Sequence, residues 1–125
     1  MKELVLKKCL KCGALVKVLK DCECDNCGIR CCGEPMKEIK TNSTDGAIEK
    51  HIPTYTVDKD KIIVNIAHVM EEDHYTEWIC LLTDNKEEYV YLNKFEEPKA
   101  TFDKVTKGNI YSYCNKHGLW KTEIK

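Results

Sequence analysis

The chain has four histidines, and each stands where a metal ligand would be wanted. His51, His68 and His74 lead toward Cys114-Asn115-Lys116-His117, a Cys-x-x-His pair. Imidazole supplies a neutral nitrogen donor and cysteine a thiolate, so together they could offer one ion four nitrogens and one sulfur. His68 and His74 flank Val69-Met70-Glu71-Glu72-Asp73, which could return both rings to one point. Any one of these histidines would ordinarily be a surface or hydrogen-bonded residue. The full set beside a Cys-x-x-His pair is what points to a metal.

The nine cysteines are the second concentration of chemistry, with seven of them between Cys9 and Cys32. Cys9-Leu10-Lys11-Cys12-Gly13 has the form of a metal knuckle, in which two thiolates chelate one ion and glycine relieves the turn. Two further thiolates are needed, and two pairs are available. Cys24-Asp25-Asn26-Cys27-Gly28 is a second knuckle, and Cys31-Cys32-Gly33 is an adjacent pair. Spacing alone favours Cys24 and Cys27, because adjacent ligands strain the backbone, but it leaves both pairs open.

The elements that must position these residues change character near Lys40. Residues 1–40 hold the cysteine cluster and two short strand-like runs, Glu3–Lys8 and Ala14–Leu19. So short a segment cannot easily bury enough apolar surface to fold alone, and a bound metal is one remedy. After the polar Thr41-Asn42-Ser43-Thr44-Asp45-Gly46 linker, residues 41–125 read as successive strands. Ile62, Val64 and Ile66 alternate within Lys61–Val69. Tyr75–Leu82 is a mostly apolar run suited to a sandwich core. Glu88–Phe95, Ala100–Val105, Ile110–Cys114 and Leu119–Ile124 follow, with turn signals at Asp84-Asn85 and Lys107-Gly108-Asn109. With His51–Val57 these make about seven strands, predicting an all-β protein with an immunoglobulin-like sandwich. No amphipathic helix or internal repeat is predicted.

The net charge of −1 and the lack of a basic stripe argue against a nucleic-acid partner. No apolar run approaches the roughly 20 residues that span a bilayer. Met1–Lys7 lacks the continuous apolar core of a signal peptide, so a cytoplasmic protein is expected. In a reducing compartment clustered cysteines are better read as metal ligands than as a disulfide framework.

Longer motifs bear a resemblance. Glu49-Lys50-His51-Ile52-Pro53, His68–Trp78 and Tyr113–Trp120 resemble the superoxide reductase family. Cys9-Leu10-Lys11-Cys12-Gly13 with Cys31-Cys32-Gly33-Glu34-Pro35-Met36 resembles the desulforedoxin-like domain of its two-iron members, the desulfoferrodoxins. The resemblance runs nearly end to end. It implies a desulforedoxin-like iron domain over 1–40 and a catalytic β-sandwich over 41–125.

It also implies two mononuclear irons per chain. One would be held by His51, His68, His74, His117 and Cys114, the other by Cys9, Cys12, Cys31 and Cys32. Cys22, Cys24 and Cys27 stand where relatives have a short glycine-rich stretch, so Cys24 and Cys27 remain alternative ligands or a regulatory disulfide. The implied reaction is one-electron reduction of superoxide to hydrogen peroxide. Lys50 would attract the anion, and Glu49 would be a mobile carboxylate able to take the open position. Further implications are a rubredoxin-type electron donor and a homodimer. Backbone amides near Asn115 and Lys116 are expected to bond to the Cys114 sulfur, and Cys80 is expected to be a small buried hydrophobe.

Two other classes compete. A non-catalytic electron-transfer cupredoxin would want an axial methionine soon after its last histidine, whereas Gly118-Leu119-Trp120 follows His117. A zinc-ribbon interaction module would explain two knuckles and leave the histidines unexplained.

Overall fold

The computed structural model describes residues 2–24, 28–43 and 48–125, the side chain of Glu49 excepted. It divides into two compact units, Glu3–Lys40 on one side and Met1–Lys2 with Thr41–Lys125 on the other.

In the smaller unit, β1 (Leu6–Lys8) pairs antiparallel with β2 (Leu15–Lys17) and with β5 (Lys37–Glu38). A separate hairpin joins β3 (Arg30–Cys31) to β4 (Glu34–Pro35). Its two-residue loop is Cys32-Gly33, with φ of 53° and 77°. Positive φ at both central residues is the type I′ geometry that suits the twist of a tight hairpin. Leu4, Leu6, Val18 and Met36 are its buried aliphatic and thioether side chains among the described residues. So small a core makes cross-linking by a metal a substantial part of what could hold this unit folded.

The larger unit is the sandwich. One sheet orders β10 (Lys99–Asp103), β7 (Lys61–Asn65) and β6 (Thr54–Asp58). The other orders β12 (Gly118–Ile124), β11 (Gly108–Cys114), β8 (Thr76–Leu82) and β9 (Glu87–Tyr91). All pairings are antiparallel. Seven strands in two sheets form the all-β architecture expected for this segment. Ile62, Val64 and Ile66 point into the core, as their alternation predicts, and meet Ile79, Leu81, Ala100, Phe102, Ile110 and Ile124.

The segment around His51 departs from the strand expected over His51–Val57. Ile48–His51 forms one helical turn, α1, closed by Ile52 N–H donating to Ile48 O at 2.9 Å, and the strand starts only at Thr54. Pro53 supplies no amide hydrogen to a ladder, which helps to delay pairing until the residue after it.

On β11, Ile110, Ser112 and Cys114 share the inward face, so the strand that fills the core also carries a candidate ligand to its end. There the ladder slips: Tyr113 opposes Trp78, but Cys114 opposes Thr76. This bulge leaves Glu77 as the extra residue of β8 and re-aims the strand end, a common device beside functional sites. The β11–β12 hairpin closes with Cys114 paired to Gly118.

Gly118 has φ of 81°, in the left-handed region that a side chain resists. Gly118→Ala should therefore cost about 1–2 kcal/mol, and Gly118→Asn less. Urea unfolding midpoints of the two variants check this, and equal midpoints for Ala and Gly would contradict it.

Candidate metal centres

The larger unit gathers five donors at one end of its sandwich. The ligand atoms of His51, His68, His74, Cys114 and His117 all lie within 4.8 Å of one another. The imidazole ring centroids trace a near-square. His51–His68, His68–His74 and His51–His117 are each 4.7 Å apart, His74–His117 is 4.9 Å, and the His51–His74 diagonal is 6.3 Å. His117 Nδ1 lies 3.0 Å from His51 Nε2 and 3.2 Å from His74 Nε2. Neighbouring nitrogens each ~2.1 Å from one ion would be ~3.0 Å apart in a square, so the spacing fits a first-row transition metal. The Cys114 sulfur is 3.2 Å from His68 Nε2 and 3.9 Å from His117 Nδ1, a fifth donor beside the square.

Each donor is held by a specific partner. Ser112 Oγ donates to His51 O at 3.2 Å, and the Trp120 indole stacks on the His51 ring at 4.9 Å. Trp120 Nε1 donates to His117 O at 3.2 Å, so one buried indole supports two ligands. His68 Nδ1 bonds to Val69 O, leaving Nε2 to face the sulfur. The Asn115 side chain stitches the His74 loop to the hairpin: Oδ1 accepts from Tyr75 N–H at 3.0 Å and Nδ2 donates to Asp73 O at 2.9 Å. Such partners orient ligands and tune a bound metal.

Protonation states suit coordination. Burial pushes His68 from 6.5 down to about 4, aided by repulsion from His51, His74 and His117 and opposed by its bond to Val69. His74 is also lowered, first by burial and then by His117 and the Lys116 cation. Neutral imidazoles are the form that binds metal. Burial raises the Cys114 thiol, while backbone N–H groups of Lys116 and His117 pull the other way. The amides at the sulfur are thus those of Lys116 and His117. Asn115 N–H instead donates to Tyr75 O at 3.2 Å, because the bulge keeps it in the ladder.

The smaller unit gathers four sulfurs. Those of Cys9, Cys12, Cys31 and Cys32 all lie within 4.8 Å of one another, with Cys12–Cys31 at 3.6 Å and Cys31–Cys32 at 3.9 Å. Tetrahedral thiolates ~2.3 Å from one ion would be ~3.8 Å apart. The type I′ loop shows how adjacent ligands reach one point: Cys32 takes a left-handed conformation, so the backbone strain expected of adjacent ligands is present and is concentrated at that residue. In the knuckle, Cys12 N–H points at the Cys9 sulfur at 3.5 Å and lowers the Cys9 thiol to about 6. Hydrogen bonds from the Cys31 thiol to Cys12 and Cys9 hold its proton and raise Cys31 to about 12. Crowded thiols cannot all ionise alone, and a cation removes that conflict.

Cys24 is disulfide-bonded and so offers no thiolate, and Cys27 lies outside the described residues. Cys22 is exposed and Cys80 is fully buried. Lys50 is exposed in the last turn of α1, directly before His51, and the Glu49 side chain lies outside the described residues. Trp120 and the Asn115 side chain were not singled out as supports by sequence reasoning. Their place within the Tyr113–Trp120 motif is the available signal.

Comparison with known proteins adds an independent line. A family model described as Desulfoferrodoxin matches residues 43–123. Desulfoferrodoxin from Nitratidesulfovibrio vulgaris is 42% identical over 120 residues, covering 93% of each chain. Desulfoferrodoxin from Syntrophotalea carbinolica is 38% identical over 125 residues, covering 97% of each. Among solved structures, the superoxide reductase from Treponema pallidum superposes with a TM-score of 0.72 at 26% identity, covering 97% of this chain and 99% of that one. The two donor sets are consistent with desulfoferrodoxin's two iron sites. With a matching family model over most of its length and relatives near 40% identity end to end, the chain belongs to the desulfoferrodoxin family.

Proposed function

We propose that this chain is a superoxide reductase whose reaction occurs at iron held by His51, His68, His74, His117 and Cys114. The square of four imidazoles beside one thiolate is the observation that carries this reading. The relatives and the superoxide reductase fold neighbour support it. When bound, iron supplies the single electron, and the thiolate's electron density favours giving it up. The balance is superoxide plus one electron plus two protons to hydrogen peroxide.

The chain's own residues bind and orient. Four neutral imidazoles and one thiolate leave a divalent ion net positive, which favours an anionic substrate. Lys50, exposed beside His51, draws superoxide inward, and Lys116 adds positive potential at His74. Glu49 is assigned a carboxylate role at the remaining position on sequence resemblance alone. Cys9, Cys12, Cys31 and Cys32 would hold the second iron, and four thiolates would leave substrate no donor position there, so its role is electron transfer or structure. A rubredoxin-type donor and a homodimer complete the proposal on the same resemblance, and a cytoplasmic location on the expectation drawn from the sequence.

The reading is tested by delivering superoxide pulses to reduced, iron-loaded protein. One peroxide should form per superoxide without dioxygen, and dioxygen release would identify dismutation instead. In the same assay Lys50→Ala should slow the bimolecular step by up to roughly tenfold at low salt and weaken its salt dependence. An unchanged rate at low ionic strength would remove Lys50 from the mechanism.

Replacing Cys31 and Cys32 together by serine should abolish the tetrathiolate visible bands while leaving iron at the imidazole site. Persistence of those bands would assign the site to other cysteines.

Metal-free protein carries a pH signature of the imidazole site. Between pH 6.5 and about 4 the unfolded chain takes up a proton at His68 that the folded chain refuses. Apoprotein stability should therefore fall as pH drops through that window, and protonation of Asp21 and Asp103, whose carboxyls Lys7 and Lys61 hold below their usual range, continues the fall at lower pH. Urea midpoints across the range check the sign, and a midpoint rising toward acid would refute it.

A further inference from the structure

A row of aromatic rings leads away from the candidate iron site on the other face of the four-stranded sheet. Tyr113 is covalently adjacent to Cys114, and its ring stacks on Trp78 at 5.7 Å. Trp78 meets the edge of Tyr89 at 5.3 Å, and Tyr89 stacks on Tyr91 at 6.5 Å. Tyr113 and Trp78 are buried, whereas Tyr91, on the edge strand β9, is 77% exposed. The row therefore runs from the residue before Cys114 to the solvent-exposed Tyr91.

Cross-strand aromatic pairs stabilise a sheet without further purpose. Two features exceed that role. Tyr91 contributes little burial yet extends the row to the surface. The Tyr89 hydroxyl donates to Glu87 Oε1 at 3.0 Å, which places a proton acceptor beside the phenol. A phenol that sheds its proton as it loses an electron becomes a neutral radical, far less costly than a buried cation.

We propose that Tyr113, Trp78, Tyr89 and Tyr91 form an oxidation-escape route that carries an electron hole from the iron site to the surface when the protein meets excess hydrogen peroxide. This rests on the iron reading of the His–Cys site and adds a protective activity to it. Reducing peroxide to two waters takes two electrons and two protons, and ferrous iron supplies only one electron. The second comes from the aromatic row. Trp78 and Tyr113 relay it, the Tyr89 O–H bond breaks, and its proton passes to the Glu87 carboxylate. Tyr91 then refills Tyr89, which recovers its proton from Glu87, and Tyr91 releases its own proton to water. A dissolved thiol returns the missing hydrogen atom to Tyr91, and the thiyl radicals so formed couple to a disulfide. The two protons taken up by peroxide come from solvent, and the iron, left ferric, would be re-reduced by the external one-electron donor. Without the row, the second electron would come from Cys114 or the imidazoles, destroying the site.

Superoxide reduction itself needs no such route, because a one-electron donor suffices. The test treats ferrous-loaded protein of measured iron content with hydrogen peroxide and a nitroso spin trap, then maps adducts by peptide mass spectrometry. Unaltered protein should carry the adduct on Tyr91. Tyr89→Phe, which keeps the ring and removes the phenol, should lose most of it and gain Cys114 oxidation. Trp78→Phe should do the same, and if it does not fold, Tyr89→Phe decides alone. No Tyr91 adduct in unaltered protein, an undiminished adduct in Tyr89→Phe, or an equal adduct in zinc-loaded protein would each overturn the proposal. Superoxide consumption measured on the same batches shows separately whether the reductase reading stands.

Discussion

Five donor atoms must come within 4.8 Å of one another although they are drawn from positions 66 residues apart. That convergence is the constraint around which the larger unit is arranged. Crowded neutral imidazoles repel protons and a buried thiol resists ionisation. A cation relieves both conditions at once, so the site is poised for a metal by the chemistry of its donors. The sandwich supplies rigidity: β11 runs from Ile110 in the core through Ser112, which holds His51, to Cys114 at the site. Ligand placement and core packing therefore belong to one continuous element, and loosening either should loosen the other.

The two sulfur-containing sites differ in ways that separate their roles. Four thiolates overcompensate a divalent ion and saturate a tetrahedron, leaving no position for substrate and no attraction for an anion. One thiolate with four neutral imidazoles would leave a divalent ion net positive, and Lys116 adds positive potential at His74. Construction differs too. The thiolate set is largely local, built from a knuckle and a type I′ turn. The imidazole set depends on the long-range pairing of β8, β11 and β12.

The four-stranded sheet uses its faces for different purposes. One face buries Ile79, Leu81 and Ile110 in the core and ends at Cys114. The other carries Trp78, Cys80, Tyr89, Tyr111 and Tyr113, with Trp78 opposite both Tyr113 and Tyr91 in the ladder. The bulge at Glu77 lies opposite the step from Tyr113, on the aromatic face, to Cys114, on the sulfur face. A residue slipped there would exchange their contents.

Much of the architecture was legible along the chain. Ile62, Val64 and Ile66 announced their inward face because the intervening positions are less buried. Trp78–Leu82 concealed its alternation because both faces are buried, and α1 at Ile48–His51 is too short for any periodicity to reveal. By itself the sequence determined residue types and local spacing: a Cys-x-x-His pair, a cysteine knuckle, and enough histidines for one site. Folding decided which groups meet. Spacing favoured Cys24 and Cys27 over Cys31 and Cys32 on grounds of strain, and the hairpin accepts that strain at left-handed Cys32 in order to bring both sulfurs to the cluster. The square of rings, the Trp120 and Asn115 supports and the amides at Cys114 arise from cross-strand register and a bulge. Those are long-range pairings, and no local pattern of residues encodes them.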